Sequence, residues 1–99
     1  MYCTSQFRSP SANSLFLQAT RHFRHKIPVE IEENSARLRF SECTGDLHVD
    51  GDLLHLTVTA QDHSLMVEIC EVLEKHLLRF AYREAPAQLQ WTYHKEASA

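Results

Sequence analysis

Two short stretches of the chain concentrate the side chains that can bind a metal or an anion. The first is His22-Phe23-Arg24-His25-Lys26. The second is His76-Leu77-Leu78-Arg79-Phe80-Ala81-Tyr82-Arg83-Glu84. Neutral imidazoles suit a borderline divalent cation, so His22, His25 and His76 form one candidate metal set, with Cys43 as an alternative third ligand. Arginine forks and lysine suit a carboxylate or phosphate. The candidate ligand-binding set is therefore His22, His25, Lys26, His76, Arg79 and Arg83.

The spacing gives these residues a common setting. His22 and His25 stand three apart, neighbours on a helix surface. His76, Arg79 and Arg83 stand at i, i+3 and i+7, one stripe if the helix continues. His76 also lies four residues after Val72, at the edge of an apolar stripe. A plainer account competes. Cations at a helix C-terminus complement the dipole by about 0.3–1 kcal/mol each, which by itself explains Arg24, Lys26, Arg79 and Arg83. Glu84 or Glu30 can fill the arginine forks from within the protein. No His-Glu-x-x-His pattern strengthens the metal reading. The choice turns on whether the two stretches meet.

Elsewhere the chemistry is thinner. His48 and His55 fall on the outer face of one hairpin. They oppose each other if Gly51-Asp52 makes the turn, but not if Asp50-Gly51 does; solvated surface histidines are the simpler account. Cys43 has no histidine at a recognisable spacing. There is no Gly-x-Ser-x-Gly elbow, and two glycines cannot build a phosphate-cradling loop. Glu30, Glu32 and Glu33 read as a solvated strand face opposed by Arg37 and Arg39. No convergent acid–base pair stands out, so the reading favours binding over catalysis and names no cofactor.

The elements that must position these residues follow from periodicity. Residues 2–8 suit a first strand. Ser9-Pro10 reads as a helix start, serine as N-cap and proline at the first helical position. Ala12, Leu15, Phe16, Ala19 and Phe23 keep helical spacing until Ile27-Pro28. Four alternating runs come next: Val29–Ile31, Leu38–Phe40, Leu47–Val49 and Leu54–Ala60. Alternation of this kind makes an antiparallel sheet with one wet face. Asp62 or Ser64 caps a second helix running to about Ala81, apolar at Leu65, Ile69, Val72, Leu73, Leu77 and Phe80. A last strand spans Gln88 to Tyr93. The expected fold is an α+β two-layer sandwich, order β-α-β-β-β-β-α-β, with five to six strands and both helices on one face. Residues 1–94 make the domain and 95–99 a tail.

The totals agree. The chain has 99 residues, 43% of them hydrophobic and 23% charged, which is one ordinary domain. A formal net charge of -3 gives no field that would recruit nucleic acid. Three scattered cysteines, Cys3, Cys43 and Cys70, read as reduced thiols and predict a cytoplasmic setting. No apolar run is long enough for a membrane span, and the first residues carry no leader pattern.

The two stretches also resemble a family. A helix closing on His22, Phe23, His25 and Lys26, then short strands bearing Phe40 and Cys43, then His76, Leu77, Arg79, Phe80, Ala81, Arg83 and Glu84 before Trp91, is similar to the bacterial family of unknown function DUF 2218. The likeness runs from about Leu15 to Trp91. Ala19-Thr20-Arg21 replaces a more apolar or cysteine-bearing run, which leaves no cysteine role there. The resemblance implies a small cytoplasmic bacterial protein. It brings an association with siderophore use, and hence an expected ligand that is an anion or a metal chelate. A partner-binding domain or homodimer joined at a strand edge is the alternative.

Overall fold

Alternating apolar and polar side chains put one face of each strand against the helices and leave the other face to water. The structure, a computed structural model, describes residues 1–84, 86 and 88–95. Its elements run β1 (Tyr2–Arg8), α1 (Ala12–Arg24), β2 (Val29–Ile31), β3 (Ser35–Arg39), β4 (Cys43–Asp50), β5 (Leu53–Ala60), α2 (His63–Phe80), a 3-10 turn (Tyr82–Glu84) and β6 (Thr92–His94). The strands form one antiparallel sheet in the order β2-β3-β4-β5-β1-β6. This is the expected α+β sandwich, with six strands.

The core lies between the helices and the inner face of the sheet. Leu38, Leu47, Val49, Leu54, Leu56 and Val58 point inward from the strands. Ala12, Leu15, Phe16, Ala19 and Phe23 answer from α1, and Met66, Ile69, Cys70, Leu73 and Leu77 from α2. Gly45 keeps the centre of the sheet open to α2. A Cβ there would stand 3.3 Å from Leu73 Cδ1 and 3.5 Å from Phe40 Cε2.

The start of α1 and the bounds of the last strand differ from expectation. Helix α1 starts at Ala12, with Ser11 at the N-cap position. Ser9 has other partners: its Oγ accepts from the Ser11 N–H at 2.9 Å and donates to Glu84 Oε2 at 2.8 Å. The first strand residue after Pro86 is Thr92, because Leu89 and Trp91 pack inward before the chain joins β1. The β6 strand therefore spans only Thr92–His94, shorter than the expected Gln88–Tyr93. The α2 start is as expected, with Asp62 accepting from the N–H groups of Ser64 and Leu65. Most of the expected tail, residues 96–99, lies outside the described residues.

Candidate functional site

Helix α1 presents Ala19, His22 and Phe23 towards α2, which answers with Leu73, His76, Leu77 and Phe80. The two histidines touch. Their ring centroids are 4.5 Å apart, with planes inclined at 43°. Phe23 lies edge-on to His22 at 5.1 Å, and Phe80 does so at 5.8 Å. Phe40, the residue after β3, closes the group against Phe23 at 5.9 Å. These phenylalanines hold the imidazoles in place. Their role was masked in the sequence, where Phe23 and Phe80 simply continue the apolar stripes.

His76 is fixed by its own helix. Its Nδ1 donates to the Val72 carbonyl at 2.7 Å, one turn back. With the proton there, the neutral ring keeps a lone pair on Nε2. One face of His76 borders an apolar void of about 10 Å³ shared with Ala19, Leu47, Leu54, Leu56 and Leu73. His22 is half-buried, and its Nε2 is sealed from water without a hydrogen-bond partner. Leaving such an atom unpaired costs about 1–3 kcal/mol.

Burial pushes the His22 pKa below 6.5; the protonated form of His76, the charges of Lys26 and Arg79, and the protonated form of His25 push it the same way. The structure thus brings His22 and His76 into contact and sets His25, Lys26 and Arg79 around them as a cationic rim. His25 is the exposed C-cap residue of α1 and flanks the pair. Among the described residues no three His, Cys, Asp or Glu side chains converge as a metal cage. The expected triad is therefore a histidine pair with a third histidine at its margin.

Arg83 is not brought to the pair. Helix α2 ends at Phe80, so the i+7 position leaves the stripe. The 3-10 turn carries Arg83 and Glu84 towards the start of α1, where Ser9 donates to Glu84. Arg83 folds over the Tyr82 ring, 5.6 Å from its centroid, and donates from Nε to the Tyr82 hydroxyl at 3.0 Å. Cys43, the alternative third ligand, is buried, and burial raises its pKa. Glu30 pairs with Arg39 on the outer sheet face, and Asp46 with Arg37.

Geometry limits what the pair can hold. A metal bound through Nε2 at about 2.0–2.1 Å lies about 3.2 Å from the ring centroid, so two rings sharing one stand about 4.5 Å apart at a right angle, about 5.2 Å at the tetrahedral angle and about 6.4 Å in line. The observed 4.5 Å is the spacing two imidazoles would have at a right angle about one metal, if both Nε2 atoms were turned to a common point.

Comparison with known proteins agrees with the fold. The chain is similar to a solved structure described as "NMR structure of PA4090 from Pseudomonas aeruginosa", with 21% sequence identity and a TM-score of 0.76 over 92% of this chain and 94% of that one. No curated protein matches the chain. No helix among the described residues is long and apolar enough to cross a membrane. The model of a family described as "Uncharacterized protein conserved in bacteria (DUF2218)" matches residues 4–92, and the chain belongs to that family.

Proposed function

We propose that the histidine pair between α1 and α2 binds an anionic metal chelate, one that still has coordination positions open, and that the domain serves iron handling in the bacterial cytoplasm as a binding module, not an enzyme. The observation that carries this reading is the 4.5 Å contact of His22 and His76 inside a rim of Lys26, Arg79 and His25. A bare cation is repelled by that rim and finds only two protein ligands. A chelate brings its own donors and its own negative charge. Once the His22 ring turns to bring its sealed Nε2 to the surface, the imidazoles fill two adjacent positions, and the rim pairs with the chelator's anionic oxygens.

Ferric citrate, citrate alone and Zn²⁺ alone separate the possibilities in thermal unfolding and calorimetry. The expected result is stabilisation by ferric citrate, about 2.7 kcal/mol at a hundredfold excess over Kd. The gain is lost in His22→Leu and reduced in Lys26→Glu or Arg79→Glu. An equal response to citrate alone reduces the site to an anion site. Absence of any response at millimolar ferric citrate overturns the proposal. The two sheet edges, β2 and β6, are three residues each and offer an added strand few backbone bonds, so a partner-binding reading has less support.

A further inference from the structure

A second histidine pair lies on the open face of the sheet, independent of the proposed chelate site. Asp50 pairs with Leu53, so Gly51-Asp52 is the two-residue turn, and Gly51 takes the left-handed conformation it needs, with φ +62. That register sets His48 directly opposite His55. Their ring centroids are 6.0 Å apart, inclined at 36°. By the same Nε2 geometry, 6.0 Å lies between the tetrahedral and linear limits, and a rotamer adjustment of less than about 1 Å that aims both Nε2 atoms at one point reaches either the tetrahedral spacing that suits Zn²⁺ or the trans positions open to Cu²⁺ and Ni²⁺. Gln6 is the next residue in the same row across the sheet, and its side-chain amide stands 3.4 Å from His55 Nδ1. As placed, the amide nitrogen donates to Nδ1; with the amide flipped so that its oxygen accepts from Nδ1–H, Nε2 is free for a metal.

The surroundings are opposite in sign to those of the helix pair. Asp46 and Asp50 flank His48 at two residues on either side, on the same strand face. Asp46 is engaged by Arg37 at 2.8 Å. Glu30, Glu32, Arg37 and Asp46 line a surface trough of about 410 Å³ that His48 borders, and Glu30 is paired with Arg39. The four acids Glu30, Glu32, Asp46 and Asp50 outnumber the arginines Arg37 and Arg39 that pair with two of them, which favours a cation, and His48 is exposed while His55 is half-buried.

We propose that His48 and His55 bind a bare divalent transition-metal ion of borderline softness, such as Cu²⁺, Ni²⁺ or Zn²⁺, with water completing its coordination. Two imidazoles without a third protein ligand make an exchangeable site. Its preference follows ligand type and the usual metal order, Cu²⁺ above Ni²⁺ and Zn²⁺, with no response to Mg²⁺.

The test is titration of the whole chain with NiCl2 and with MgCl2, read by calorimetry and by backbone NMR. Ni²⁺ is expected to bind one per chain and to broaden residues 46–57 first. Binding weakens at least tenfold in His48→Gln and in His55→Gln, and is unchanged in His22→Leu. Both glutamine variants replace side chains on the solvent face, and their spectra report whether the fold is kept. Broadening confined to residues around His22 and His76 overturns the proposal, as does Ni²⁺ affinity retained in a folded His48→Gln, or an equal response to Mg²⁺. Loss of the chelate response in His22→Leu bears only on the helix site, so the two readings fail separately.

Discussion

The helix pair and the sheet pair set two imidazoles side by side in opposite surroundings. His22 and His76 are wedged between phenylalanines, one with a sealed nitrogen and one tied to a backbone carbonyl. His48 and His55 stand on an uncovered strand face. Lys26, Arg79 and His25 surround the first, while Asp46 and Asp50 flank the second. An imidazole pair alone does not choose its ligand. The sign of the surrounding charge decides between an anionic chelate and a bare cation, and burial decides whether the rings also support the fold.

This contrast assumes that histidines, not thiols, are the available soft donors. Burial and the neighbouring Cys3 push the Cys70 pKa up to about 12. At pH 8 the folded thiol should therefore alkylate about a thousandfold more slowly than the unfolded one, whose thiolate is a substantial minority. Iodoacetamide labelling with and without urea measures the ratio. A ratio near one would mean the core admits metals to its thiols, and the contrast would collapse.

The next largest effect is on stability. His76→Ala should cost about 1–2 kcal/mol, through lost packing and an enlarged void, whereas His48→Ala should stay within about 0.5 kcal/mol. Urea denaturation of both variants checks this, and equal losses would erase the structural half of the contrast. The pH dependence sharpens it further. His22 titrates below 6.5 in the fold, so its neutral form contributes fully above that value. As pH falls below 6.5 the unfolded chain takes the proton first, and stability declines until the folded pKa is passed. His22→Leu should flatten that decline in denaturation midpoints between pH 7 and 5; an unchanged decline would assign it to other groups. The smallest expected effect tests the fields themselves. Asp50→Asn should weaken Ni²⁺ binding about threefold, from one exposed charge about 7 Å away, and leave ferric citrate binding unchanged. An Asp50→Asn effect on both ligands would show that the two fields are not separate.

Much of the frame was legible in the sequence because it is periodic. Alternation marked β2 to β5, and Asp62 marked the start of α2 by a cap whose chemistry is local. What was not legible depends on distance in space or on a boundary. The meeting of His22 and His76 depends on how two helices cross, which neither stripe records. Arg83 was placed with the pair by extending helical spacing past Phe80, although the chain turns there. Ser9 looked like a cap but is held by Glu84, 75 residues away. The His48–His55 pairing rested on one ambiguity of turn position, which the pairing of Asp50 with Leu53 resolves.

That register is enforced from the other side of the sheet. Sliding β5 by one residue would turn Leu54, Leu56 and Val58 out to water and bring His55 into the core. The loss would far exceed anything the histidines contribute. Selection on three apolar side chains thus also preserves the alignment of two surface rings, whether or not a ligand is in use. The backbone therefore holds positions 48 and 55 face to face even when one imidazole is replaced, and restoring that side chain restores the pair.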